Sequence, residues 1–405
     1  MTIDAPFRFR SIVLPALAPT VLFAIGEGAI IPVLPAIAGD RGAGLAAAGF
    51  VAAMITVGNL LGDVPSGSLI HRFGERRAML GASVVAAIGL VIALLAPNPW
   101  VLGGGILLVG LATAIFALAR HAFLTTFVPI THRARALSTL GGTFRFGYLV
   151  GPFLGAAVIG LTGVTELAFV VHLVCVTAAF ILLIVQKDPT ERITALRLDR
   201  ATDAEFEHRG LAATLWANRR IHGTIGVGAM ALAALRASRG VVLPLWAVSI
   251  GLNEVHTSVI IGIAGAVDVA LFYAGGQLMD RFGRVWTAVP STLGLALCFL
   301  VLSVTHDLDA RLGWFIGIAL ACSLANGLGA GILMTLGADL SDPRHPATFL
   351  GAWRFQTDSG GALASVLVAT ITAAIALPVA VATVGVVGVV GAGFLYRYAP
   401  RRPRA

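Results

Sequence analysis

Gly67-Ser68-Leu69-Ile70-His71-Arg72-Phe73-Gly74 returns later in the chain as Gly276-Gln277-Leu278-Met279-Asp280-Arg281-Phe282-Gly283, an offset of 209 residues. The same offset carries Val33-Leu34-Pro35 onto Val242-Leu243-Pro244. It also carries Gly142, Arg145, Phe146 and Gly151 onto Gly351, Arg354, Phe355 and Gly360. One register held across three separated segments, with no gap, marks a duplicated chain. Two homologous halves in an apolar chain imply a moving site between them, which is how transporters are built.

The chain is apolar enough for this. Charged residues make up 12% and hydrophobic residues 58%, at a mean hydropathy of +0.91. A soluble domain carries about 25% charged residues, so the 405 residues are counted in membrane spans of ~20 residues rather than in soluble domains. The net charge of +8 does not point to nucleic acid, because the arginines sit in short clusters between apolar runs. Cys175, Cys298 and Cys322 lie inside apolar runs without CxxC spacing, so neither a disulfide framework nor a metal site follows. The opening stretch is not read as a signal peptide: its apolar run extends from Ser11 to Ala38, and Val33-Leu34-Pro35 belongs to the repeat.

Apolar runs and loop punctuation predict an all-α integral membrane protein with twelve transmembrane helices in two pseudo-symmetric six-helix bundles. The first bundle (1–186) has spans at 11–38, 44–70, 78–96, 100–128, 136–161 and 167–186. The second (220–405) has 220–249, 254–279, 285–305, 311–338, 346–372 and 376–398, then a short basic tail. Between them, 187–219 is the one long polar stretch and reads as a linker. Its Ile193 to Glu207 reads either as a short amphipathic helix on the membrane surface or as a plain tether. Arg8, Arg10, Arg72, Arg76, Arg77, Arg133, Arg135, Arg281, Arg284, Arg344 and the tail arginines fall on one side, so the positive-inside rule puts both termini in the cytoplasm of a cell that carries the protein in its inner or plasma membrane.

The repeated segment, continued as Glu75-Arg76-Arg77 in the first copy and Arg284 in the second, resembles the loop signature G-x-L-x-D-R-x-G-R-R of the major facilitator superfamily. Together with twelve spans, duplicated halves and a polar linker, the resemblance covers the whole chain. It implies the major facilitator fold. The motif acid is replaced by His71 in the first copy and kept as Asp280 in the second. A neutral imidazole cannot make the same charge–dipole contact, so the first-half gate is expected to be weaker or pH-sensitive, with Asp63, two turns earlier, as a partial substitute. In the fifth span, Gly147, Gly151, Pro152 and Gly155 resemble the G-x-x-x-G-P-x-x-G signature of the superfamily's antiporters, which implies export. The same residues also read as a helix-packing stripe. Arg120 in the fourth span loosely resembles a further signature associated with proton coupling.

An ionisable side chain inside a span costs roughly 2.5–3.5 kcal/mol even on lenient scales, so it is a functional candidate by default. Here these are Glu27, Arg120, Arg145, Arg236, Arg239, Asp268, Arg354 and Asp358. The offset places Glu27 opposite Arg236. Glu27 is therefore expected to be the principal protonatable group, with Arg236 or Arg239 as a conditional partner. Arg145 and Asp268 sit at matched depth, at ~1.5 Å per helical residue, and are expected to bridge the halves. Arg354 is expected to pair locally with Asp358 four residues on, facing Asn59, which stands where Asp268 has its counterpart. Tyr148 and Trp353 lie near the buried arginines and are candidates to touch substrate.

These readings lead to a proton-coupled exporter of small amphiphilic or drug-like molecules, working as a monomer by rocking of its halves and powered by the proton gradient without a cofactor. Alternatives on the same scaffold are a proton-coupled organic-anion transporter and a lipid or glycolipid flippase. A membrane enzyme is disfavoured, because the chain has no H-E-x-x-H, no P-loop and no G-x-S-x-G in a hydrolase setting.

Overall fold

The structure, a computed structural model, describes residues 16–128, 130–186, 211–341 and 346–399. Arg8, Arg10, the segment Ile193 to Glu207, Arg344 and the tail arginines lie outside them, as do the side chains of Arg133, Arg135 and Asp280. The spans of the first half are α1 Ala18–Asp40, α2 Leu45–Phe73, α3 Glu75–Leu95, α4 Pro99–Phe127, α5 Ile130–Thr162 and α6 Leu167–Val185. Those of the second are α7 Ile225–Ser249, α8 Glu254–Phe282, α9 Val285–Ser303, α10 Arg311–Leu340, α11 Pro346–Ala374 and α12 Leu377–Tyr398. Among the described residues, eleven of these helices are long and apolar enough to cross a membrane. α11 has the length, at 29 residues, but its first half holds Arg354, Gln356 and Asp358. It completes the twelve.

The repeated motif ends α2 and α8 in the same way. Gly74 (φ 80°) and Gly283 (φ 96°) adopt a left-handed conformation that a side chain would strain, and the chain turns there within one residue. The arginines that follow hold helix ends. Arg76 donates to the carbonyls of Leu183, Ile184 and Gln186 at the end of α6, and Arg284 pairs with Asp339 at 2.8 Å on α10.

Packing repeats along with sequence. In the first half α2 and α3 pack on α4, and α1 on α5 and α6. In the second half α8 and α9 pack on α10, and α7 on α11 and α12. Without a hydrophobic force between helices in lipid, close approach depends on small residues. Gly58 and Gly62 of α2 face the backbone of α4 around Leu107 and Leu111, where a Cβ would clash. The halves meet where α2 packs on α11 and α5 on α8.

Two spans break where the sequence reading had them continuous. α1 passes through a 3-10 turn at Ile31–Val33, because Pro32 and Pro35 each remove a helical N–H donor. α10 stops at Leu328 and resumes at Ile332 after Gly331, whose φ of 80° no continuous helix accommodates. α7 begins at Ile225, five residues later than expected, because Leu211–Ala217 and Arg219–His222 form short separate helices before it.

Candidate functional site

A cavity of about 470 Å³ lies between the halves, within the range of sites that hold small molecules. It is bounded by α1, α2 and α5 on one side and by α7, α8 and α10 on the other. Its lining is largely aliphatic and includes Glu27, Asn59, Arg145, Tyr148, Arg236, Arg239, Asp268 and Asn326.

Glu27 reaches this cavity because α1 and α5 are pressed together. A Cβ on Gly147 or Gly151 would strike α1 between Ala24 and Ala29, and Gly28 in turn lies against the backbone of Gly147, Tyr148 and Gly151. The helix-five signature therefore has a visible local role: it brings Tyr148 beside Glu27. Glu27 is only 1% exposed, and the Thr113 hydroxyl of α4 lies 3.5 Å from its Oε2. Arg120, two turns along α4 from Thr113, is 2% exposed and donates to the Thr20 hydroxyl of α1 at 3.2 Å. Its guanidinium sits 3.5 Å from the centre of the Phe144 ring, which separates it from the cavity as a cation–π lid. No described residue forms an ion pair with Glu27.

The facing wall is basic. Asp268 of α8 receives Arg145 of α5 at 2.9 Å, Arg239 of α7 at 3.1 Å and the Asn326 amide of α10 at 2.6 Å. Arg145 also lies over the Phe272 ring, 4.7 Å from its centre. Arg145 and Asp268 thus meet across the two halves. Arg239 donates as well to Ser323, while Arg236 donates to the Gly329 carbonyl at the break in α10. The break supplies a free carbonyl at a helix C-terminus, where a cation is favoured.

Three expectations change. Arg236 and Arg239 do not pair with Glu27 here, because Arg239 is drawn to Asp268 and Arg236 to α10. Arg354 does not lack an acid on α2: its Nη2 lies 3.0 Å from Asp63 Oδ1 and its Nε 3.3 Å from Asp358 Oδ2. The Asp63 contact is an ion pair by distance without an aligned hydrogen bond. Asn59, the residue at the symmetric position, faces the cavity instead, with its Oδ1 unpartnered. Trp353 is not in the cavity. It is 3% exposed and donates its indole N–H to the Leu333 carbonyl, tying α11 to α10.

His71 is exposed at the end of α2 and Arg72 lies over Phe73, while Asp63 is the acid that reaches the second half. Arg281 lies over Phe282 in the second copy. Thr113, Ser323 and Asn326 were missed by sequence reasoning. A hydroxyl in an apolar span carries no periodic signal, but Asn326, a full amide in an apolar run, could have been flagged as intramembrane polarity.

A family model described as Major Facilitator Superfamily matches residues 19–365, and again 225–405. Inositol transporter 4 of Arabidopsis thaliana is 24% identical over 295 residues, which is 64% of this chain and 50% of that protein. Tetracycline resistance protein, class H, of Pasteurella multocida is 29% identical over 139 residues, 34% of each chain. The chain therefore spans half or less of the length of these relatives. In fold it is similar to a crystal structure of D-xylose-proton symporter (TM-score 0.73, 15% identity, 97% of this chain and 98% of that one). A POT family transporter crystallised with a thioalcohol-conjugated peptide has a TM-score of 0.77 at 10% identity, covering 96% of each.

Proposed function

Because the chain belongs to the Major Facilitator Superfamily, we propose that it is a proton-coupled secondary transporter that exports small amphiphilic molecules by rocking its halves about the central cavity. The chain is a membrane transporter and not an enzyme. The observation that carries the coupling is Glu27: a carboxyl group at the cavity wall, held by Tyr148 and Thr113 and without an ion-pair partner among the described residues. Such a group can exchange a proton each time the cavity opens to a new side, and Arg120 behind Phe144 tunes its field. Arg145–Asp268 and Arg354–Asp63 join α5 to α8 and α2 to α11, and act as gates that close the cytoplasmic side.

Export is supported by the Gly147–Gly155 signature and by relatives whose names carry tetracycline resistance, since expelling a drug confers resistance to it. Proton coupling is supported by likeness to a fold-mate named a proton symporter. The orientation that fits is both termini in the cytoplasm of a cell whose inner or plasma membrane holds the chain. Organic-anion transport is a second reading, favoured by the three guanidiniums that line the cavity. The test is flux in reconstituted vesicles across a panel of cationic dyes, organic anions and lipids. Flux that grows with an imposed pH gradient is expected. Flux indifferent to that gradient contradicts the proposal.

A further inference from the structure

Arg236 lines the cavity without an ion pair of its own among the described residues. Arg145 and Arg239 share one carboxylate, Asp268, which is further held by Asn326. Arg236 forms no ion pair among the described residues. Its Nη2 donates to Gly329 O at 2.7 Å, and its buried Nε has no partner. A guanidinium carries five N–H donors in a planar fork, and among the described residues the Nη2–Gly329 bond is the one that engages this group. The carbonyl end of a broken helix contributes roughly half a negative charge, which answers only part of a full cation. Counting charges along the cavity, Arg145, Arg236 and Arg239 stand against Glu27 and Asp268, an excess of one positive charge with both acids ionised and of two with Glu27 protonated.

A cation at a cavity wall with so little local compensation favours an anionic group that enters the cavity. We propose that Arg236 is the docking point for the carboxylate of the transported molecule, and that the substrate class is small organic acids with a single carboxylate on an apolar body. The planar fork matches a carboxylate in two parallel hydrogen bonds. Arg236 is the one guanidinium of the three without an ion-pair partner among the described residues, which matches a single carboxylate. The rest of the wall, with Ile31, Val241, Leu243, Pro244, Ile261 and Val269, offers an apolar bed to the remainder of the molecule. The inference rests on reading this cavity as the transport site. It does not rest on the direction of transport or on its coupling to protons.

The experiment is equilibrium binding to the full chain in nanodiscs, with 1-naphthoate, its neutral amide 1-naphthamide and 1-naphthylmethylammonium as probes. Naphthoate is expected to bind about tenfold tighter than the amide, as one extra charge-assisted hydrogen bond would give. Arg236→Gln should bring acid and amide level, and Arg236→Lys should keep part of the preference. If Arg236→Gln does not fold, Ala237→Asp adds a negative charge to the same cavity lining and should weaken binding of the acid relative to the amide. Equal binding of acid and amide by the native protein, or an unchanged preference in Arg236→Gln or Ala237→Asp, overturns the proposal. A preference for naphthoate without flux driven by a pH gradient would sink the coupling reading and leave this site standing. Driven flux with no acid preference would do the reverse.

Discussion

Arg354 of α11 reaches across to Asp63 of α2 at 3.0 Å, one helical turn beyond Asn59, where the pseudo-symmetry of the chain would put its acid. Its counterpart Arg145 finds Asp268 at 2.9 Å in the symmetric register. The two contacts between halves are therefore alike in chemistry and offset by a turn. The cavity gains an uncharged amide, Asn59, where a strictly duplicated chain would have placed a carboxylate.

If the α2–α11 contact works as a gate, its charge matters more than its particular residues. Asp63→Asn and Arg354→Gln should each slow flux in vesicles several-fold, while the exchanged pair Asp63→Arg with Arg354→Asp should recover most of it. Arg354 is 40% exposed on its side chain, so the coupling in a double-mutant cycle should be modest, about 1 kcal/mol. A swap no better than the worse single variant would show that position, not charge, is what counts.

At the α5–α8 contact the two partners should behave unequally. Asp268→Asn leaves Arg145 and Arg239 facing each other without a carboxylate, and removing one partner of a buried pair costs about 3–5 kcal/mol. Arg145→Gln leaves Asp268 still held by Arg239 and Asn326. Thermal unfolding of the two purified variants should therefore show the larger drop for Asp268→Asn. Equal drops would mean that Asp268 is not the shared anchor.

The glycines of α5 should divide by what faces them. Gly151→Leu forces α1 and α5 apart and should both destabilise the protein, by about 1–3 kcal/mol or more for an overpacked contact, and remove Glu27 from Tyr148. Gly160→Leu, on the same helix, meets open space and should be tolerated. Yield and melting temperature of the two variants decide this, and matching losses would contradict the packing role given to the motif.

Much of this was legible in the sequence because the 209-residue offset is a statement about backbone. It gives helix number, order and depth, and depth was enough to bring Arg145 to Asp268. It could not give rotation about a helix axis. Asn59 and Asp63 lie on one face of α2, a turn apart, and which of them meets Arg354 depends on how α2 sits against α11. The same limit applies to Glu27 and Arg236: equivalent positions share a depth, but Glu27 is held by Tyr148 and Thr113 of its own half and Arg236 by the Gly329 carbonyl at the break in α10. Trp353 was misread because proximity in sequence to a buried arginine says nothing about which side of α11 an indole takes.

The central claim is that Glu27 carries the proton. Glu27→Gln keeps the shape and the hydrogen-bonding reach of the side chain toward Tyr148 and Thr113 but cannot exchange a proton. In proteoliposomes it should retain counterflow, in which labelled substrate exchanges with unlabelled at no pH gradient, and lose accumulation driven by an imposed gradient. Gradient-driven accumulation that survives intact in Glu27→Gln would contradict the account.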